Sequence, residues 1–146
     1  RGGESMNTNY DRRKTLQELE RDDWREPNDH SHLVQTCHGL RRVPLADFTT
    51  GNLRIMIGQK ISLLFLVPLA LEKLQEDPLV DANYYPGDLL NAVLDVPEAF
   101  WSVHADMRDV LREVVTKTKE LLVSLEETDA RLIREGLAKA PAWVHE

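Results

Sequence analysis

Four side chains that can bind a soft metal ion lie within nine residues of one another: His30, His32, Cys37 and His38. Their chemistry suits zinc, which binds imidazole nitrogen and thiolate sulfur. Their spacing does not, because Cys37 and His38 are adjacent and neighbouring residues on a helix point about 100° apart. No CxxC or HxxxH pair elsewhere in the chain completes a tetrahedral ligand set. We therefore expect no metal site, and we expect Cys37 to be a core residue.

The residues that support nucleophilic or acid–base catalysis form no better constellation. Cys37 and His38 cannot act as a dyad, because adjacent helical residues do not face each other. His104 follows Trp101 by three residues, and the sequence offers it no partner. Adjacent acids are common on the solvated faces of helices and carry little weight here: Asp22-Asp23, Glu76-Asp77 and Glu126-Glu127. Since nucleophile-elbow, P-loop and dinucleotide motifs are absent from the sequence, we predict that the protein is not an enzyme and needs no cofactor.

Composition bounds the class of protein. With 146 residues, 42% of them hydrophobic and 29% charged, the chain is long enough for one domain with its own core. A lone cysteine cannot form an internal disulfide, which favours a reducing compartment. The amino terminus has no apolar secretory segment, and residues 1–5 before Met6 are typical of an expression-tag remnant. We expect a cytoplasmic protein with one domain over residues 10–140 and a flexible tail over residues 141–146.

The negative charge of the chain is concentrated in one part of it. The formal net charge is −7, to which residues 1–69 contribute +1, residues 70–109 contribute −7 and residues 110–146 contribute −1. An acidic surface repels nucleic acid and anionic lipid, and it attracts basic partners. A plainer interpretation is a set of solvated, acid-rich helix ends.

The first third of the chain has the periodicity and the start signals of helices. Thr15 and Glu18 have the capping-box spacing, which predicts a first helix from this point. Apolar residues repeat at intervals of three and four over the next segment and predict a second helix over Ser31–Leu40. Thr49 or Thr50 can cap a third helix, and the sequence does not decide between them.

The most apolar segment, Ile61–Gln75, is hydrophobic nearly all round, which is typical of a central helix surrounded by others. Its strongly apolar part is too short for a membrane span, which needs roughly twenty residues. Gly58 either kinks one long helix or separates two. Pro68 lacks a backbone donor and clashes with the carbonyl of Leu64, which predicts a kink or break near Phe65.

Helical signals continue to the end of the chain. Pro86 and Asp88 suit the first turn of a short helix, and Pro97 opens a further turn. Amphipathic patterns predict helices over Asp106–Val123 and about Glu126–Lys139. No strand pattern is present in the sequence. We therefore predict an all-α fold, a single compact helical domain of about six to eight helices around a buried central helix.

Several short segments in the middle of the chain carry a family resemblance. They are Leu53-Arg54-Ile55-Met56-Ile57-Gly58-Gln59, Leu66-Val67-Pro68-Leu69-Ala70-Leu71-Glu72 and Tyr84-Tyr85-Pro86-Gly87-Asp88-Leu89-Leu90, with Leu40-Arg41, Pro44-Leu45 and Phe100-Trp101 around them. In this order they resemble the immunity proteins of bacterial contact-dependent growth inhibition (CDI) systems, from about Leu16 to about Leu122. The resemblance implies a small cytoplasmic protein that binds and blocks the toxin domain delivered by a neighbouring cell. It does not identify the toxin.

The partner that the resemblance implies is the carboxy-terminal domain of a cognate toxin, expected to be basic and a nuclease. Binding would occlude its active or substrate-binding surface, with carboxylates imitating nucleic-acid phosphate. The candidate partner-binding residues share the acidic segment: Glu72, Glu76, Asp77, Asp81, Tyr84, Asp88, Asp95 and Glu98. An alternative function is a helical adaptor or subunit that uses the same acidic surface on a basic partner other than a toxin.

Some residues of the resemblance have an equally good structural interpretation. Tyr85, Pro86 and Gly87 can serve to start a helix, whereas Tyr84 is freer to contact a partner. Arg54 and Gln59 lie among apolar neighbours and can either satisfy helix ends or touch a partner.

Overall fold

Side-chain caps and prolines set the ends of the helices in this protein. A computed structural model describes residues 10–28 and 31–146, so that residues 1–5 and His30 lie outside the described residues. The described residues form eight α-helices and no strand: α1 (Leu16–Glu20), α2 (His32–Leu40), α3 (Thr50–Gly58), α4 (Leu63–Glu76), α5 (Asp88–Leu94), α6 (Glu98–Trp101), α7 (Ala105–Leu121) and α8 (Glu127–Lys139). The predicted all-α fold class and helix number are confirmed.

The starts of the first three helices follow from side chains that accept hydrogen bonds from free backbone amides. Thr15 and Glu18 form the capping box of α1, and Ser31 caps α2 by accepting from the Val34 amide. Of the two candidates for α3, Thr49 is the cap, and it forms a capping box with Asn52. Thr50 is the first helical residue, and its hydroxyl instead donates to the Asp81 carbonyl at 3.4 Å.

Two helices, rather than one kinked helix, meet beyond Gly58. The connection between α3 and α4 holds Lys60 at φ 61° and Ser62 at φ 53°, both in the left-handed region that a continuous helix cannot contain. Of the kink or break predicted near Phe65, the break is wrong, because α4 continues from Leu63 to Glu76 with Pro68 inside it; the kink stays a prediction. Proline costs α4 one hydrogen bond, and burial of its own ring and of the side chains around it compensates for that loss.

The core is built around α4, as the sequence predicts. Half of its residues are buried, and it packs against α3, α5 and α7. Further contacts join α3 to α5 and α5 to α8, so that α5 lies between these two helices. No described helix combines the length and the apolar composition that crossing a membrane would require.

The carboxy-terminal residues, expected as a flexible tail, form a short 3-10 helix, Ala142–His145, packed against α7. Val144 is only 2% exposed. The Trp143 indole nitrogen donates to Glu98 at 2.9 Å, and its ring meets Trp101 edge-on at 5.5 Å. Trp143 therefore returns to α6 and α7, which explains an aromatic residue so near the end of the chain.

Candidate functional site

The loop before α5 is held by the carboxylate of Asp88. One oxygen accepts from the Ala82 amide at 2.6 Å, and the other accepts from the Tyr84 amide at 3.0 Å. Asp88 is 3% exposed, and as the first residue of α5 it also lies at the positive end of that helix. A buried carboxylate of this kind fixes the path of the loop rather than presenting its charge to solvent.

Arg54 of α3 holds the same loop from the other side. Its Nε donates to the Ala82 carbonyl at 2.9 Å and lies 3.7 Å from Asp88 Oδ2. Its guanidinium carbon lies 4.1 Å from the centroid of the Tyr84 ring, a cation–π contact. Arg54 therefore satisfies groups inside the molecule, which was one of its two interpretations, and it also supports the ring that faces solvent.

Two glycines lie in close contact with side chains on either side of this loop. Asn83 has φ 95°, and a Cβ atom at Gly51 would lie 2.1 Å from the Asn83 side-chain nitrogen. Gly87 has φ 92°, and a Cβ atom there would lie 2.2 Å from Ile133 of α8. Gly87 requires glycine because its φ is positive, whereas a larger residue at Gly51 would require the Asn83 side chain to move. The loop places the Tyr84 side chain at the surface, where it is 73% exposed.

A groove opens beside Tyr84, between the loop and α5 on one side and α8 on the other. Its volume is about 440 Å³. The loop and α5 contribute Tyr84, Tyr85 and Asp95, and α8 contributes Leu132 and Glu135. This volume lies within the range of about 300–1,000 Å³ usual for ligand pockets, so the groove can accommodate side chains of a partner.

The candidate partner-binding residues separate into several places on the molecule. Tyr84, Asp88 and Asp95 line the groove. Glu72 and Glu76 line a smaller, separate cavity of about 100 Å³ beside α4, which does not line the groove. The acidic segment thus supplies charge to more than one part of the surface.

Several of these carboxylates have partners within the molecule. Glu72 binds Arg12 at 2.6 Å, Asp95 binds Lys60 at 2.8 Å, and Glu98 accepts from Trp143. Asp77 and Asp81 are exposed and accept from backbone amides two residues further on. Asp88 differs from the other seven candidates because its carboxylate is buried and accepts from two loop amides, so its charge is not available at the surface.

The residues that suggested metal binding or catalysis have structural partners. Cys37 is 4% exposed, and burial raises the pKa of its thiol, which disfavours the thiolate needed for ligation or attack. The His38 ring lies 3.1 Å from the Arg25 carbonyl and packs edge-on against Trp24. The His104 ring packs against Phe100 at 4.4 Å. Among residues 10–28 and 31–146, no three such side chains are placed to share a metal ion.

The wall of the groove formed by α8 was missed by the sequence reasoning. The buried residues of this helix are Ala130, Ile133 and Leu137, the apolar stripe that periodicity identifies. Leu132 lies off that stripe and is 38% exposed, so an apolar residue out of register was the available signal.

Comparison with known proteins gives one family. The family model described as CDI immunity proteins matches residues 18–111, well over half of the chain. The protein therefore belongs to the family of CDI immunity proteins. No curated protein and no solved structure matches it significantly. The matched residues include Arg54, the Tyr84 loop and α5, and they end within α7.

Proposed function

We propose that this protein acts in the cytoplasm by binding the toxic carboxy-terminal domain of its cognate CDI effector and blocking it without catalysis. Membership of the CDI immunity family carries this proposal. The partner is proposed to be a basic nuclease domain, and the blocked surface to be its active or substrate-binding cleft. Exposed carboxylates of the acidic segment would occupy the positions of nucleic-acid phosphates in such a cleft.

The distribution of charge supports a basic partner. Residues 70–109 contribute −7, equal to the net charge of the whole chain. Glu76, Asp77 and Asp81 are exposed and follow one another from the end of α4 into the loop. The carboxylates of Asp77 and Asp81 accept hydrogen bonds from backbone amides and form no ion pair in the described chain, so their charges remain available to a partner.

Co-expression tests the proposed function directly. If the proposal holds, a large exoprotein should be encoded beside this gene, and the probe is the carboxy-terminal few hundred residues of that exoprotein, expressed alone and together with this protein. We expect the domain alone to stop growth, and we expect growth to be rescued by co-expression with co-purification at 1:1. An active toxin domain that is neither bound nor neutralised would contradict the proposal and favour the adaptor alternative.

Salt dependence tests the role of the acidic segment. We expect the association rate with the toxin domain to fall about tenfold or more between about 0.05 and 0.5 M NaCl, because salt screens electrostatic steering. Stopped-flow fluorescence measures this rate, and the dissociation rate serves as the control that should change much less. An unchanged association rate would exclude acidic steering and leave immunity by direct binding in place.

A further inference from the structure

The groove beside Tyr84 has an exposed apolar side chain on each of its two walls. Tyr84 on one wall and Leu132 on the other are 73% and 38% exposed. Large aromatic and aliphatic side chains left in solvent around a concave site are typical of the anchor points of protein interfaces. Two such residues facing one groove indicate that a partner covers them.

The charged side chains that line the groove are Asp88, Asp95 and Glu135 against Arg54 and Lys139, and their net charge of −1 favours a cation as the group that enters it. Arg54 is occupied by Asp88 and by the loop, and Tyr84 covers it. Asp95 on one wall has a side chain that is 77% exposed, and its salt bridge to Lys60 is a surface pair of low energy. On the other wall, Glu135 is exposed and has no ion-pair partner within the described part of the chain.

The two walls are tied together before any partner arrives. Asn91 of α5 donates to the Tyr85 hydroxyl at 2.9 Å and to the Leu132 carbonyl of α8 at 3.2 Å. Its side-chain oxygen packs so closely on Gly136 that a Cβ atom there would lie 1.9 Å away. A groove built in this way loses little conformational entropy on binding, which favours affinity.

We propose that this groove receives a protruding lysine or arginine side chain of the toxin domain, held between Asp95 and Glu135 and packed against Tyr84 and Leu132. The inference rests on the proposed function, and it adds α8 to the interface. It also separates two roles. The loop wall lies within the residues shared with the family model, whereas the α8 wall lies beyond them and is the part suited to distinguish one toxin from another.

A matched pair of charge reversals tests the inference. Glu135→Lys and Glu120→Lys change the net charge equally, and both residues are exposed glutamates without an ion pair in the described chain, but Glu120 on α7 is outside the groove. We expect E135K to weaken binding of the toxin domain about 30-fold or more, and E120K less than about threefold, because only E135K places a cation against the entering one. Isothermal titration calorimetry measures both affinities, and thermal unfolding confirms that both variants fold.

A second pair tests the aromatic wall. We expect Tyr84→Ala to weaken binding about tenfold or more and Tyr84→Phe to have little effect, since the ring rather than the hydroxyl provides the contact. Equal affinities for E135K and E120K, with the wild-type chain still bound to the toxin, would overturn the groove and leave the proposed function intact. Failure of the wild-type chain to bind an active toxin domain would instead overturn the proposed function.

Discussion

Two arginines, Arg41 and Arg54, make the same set of contacts at two places in this protein. Arg41, which follows α2, donates to the Asp22 carbonyl at 2.6 Å, and Arg54 donates to the Ala82 carbonyl at 2.9 Å. Each also pairs with a carboxylate, and each guanidinium lies under an aromatic ring, at 4.4 Å from Trp24 and 4.1 Å from Tyr84. In both cases an arginine fixes an irregular segment whose own backbone groups have no helical partners.

The two places differ in what they leave at the surface. Arg41 is 1% exposed, and besides Asp22 it binds Glu20 and Ser62, so that it joins three segments of the chain. Trp24 above it is 36% exposed and also packs on His38. Tyr84 above Arg54 is twice as exposed, beside an open groove. The same chemistry therefore serves cohesion at Arg41 and presentation of a side chain at Arg54.

The largest effect is expected from removal of Arg41. Arg41→Met should destabilise the protein by about 2–4 kcal/mol, because it removes the buried partner of an ion pair whose carboxylate, Glu20, is partly exposed, and it leaves the Asp22 carbonyl without its donor. The neighbouring Arg42→Met is the matched control and should cost less than about 1 kcal/mol, since its pairs with Glu26 and Asp23 are exposed. Urea unfolding followed by circular dichroism measures both.

The folded fraction of Arg41→Met should bind the toxin domain with unchanged affinity. A loss of affinity at Arg41 beyond what unfolding explains would break the distinction between cohesion and presentation.

A smaller loss of stability and a larger loss of binding are expected from Arg54→Met. We expect about 1–3 kcal/mol of destabilisation, because Asp88 then stays buried with only its amide donors. Toxin affinity should fall about tenfold or more, because the Tyr84 ring loses its support. In a double-mutant cycle, adding Tyr84→Ala to Arg54→Met should change affinity little further. Fully additive losses would show that Arg54 does not act through Tyr84.

The sequence predicts this fold well because its signals are local. The capping box at Thr15, a threonine cap for α3 at Thr49 or Thr50, the apolar periodicity of α2 and the all-round hydrophobicity of α4 are each contained in a few neighbouring residues. The break near Phe65, one of the two outcomes predicted from Pro68, is wrong for the complementary reason, since packing from distant helices keeps α4 continuous through the proline.

The candidate site is predicted less well, because it depends on contacts across the chain. Asp88 has the composition of a helix cap and of an acidic surface residue alike, and only the return of the loop over it shows that it is buried. Glu135 is 47 residues further along the chain, and only the packing of α8 on α5 brings its wall to the groove. No periodicity or motif encodes that approach.

The smallest effect concerns Tyr10, which ties the segment before α1 to α4 by donating to the Phe65 carbonyl at 2.6 Å. Burial raises the pKa of Tyr10 from 10.0 to about 12, with the nearby Arg12 opposing the shift and Glu72 adding to it. The neutral hydroxyl is therefore favoured in the folded state. Its contribution to stability is present below pH 10 and is lost as the pH rises from about 10 to 12.

Comparing the stability of Tyr10→Phe with that of the wild type isolates the ionisation of Tyr10 from that of every other group. The variant should be less stable than the wild type by about 1 kcal/mol at pH 8, since it lacks the hydrogen bond, and the difference should shrink above pH 10 as the wild type loses its own advantage. Urea unfolding of both chains at about pH 8, 10 and 11 measures the difference, from which titrations common to both chains cancel. Parallel stability curves would show that Tyr10 ionises with its ordinary pKa. Toxin affinity should be the same for both chains at pH 8, because Tyr10 packs on α4 and does not line the groove.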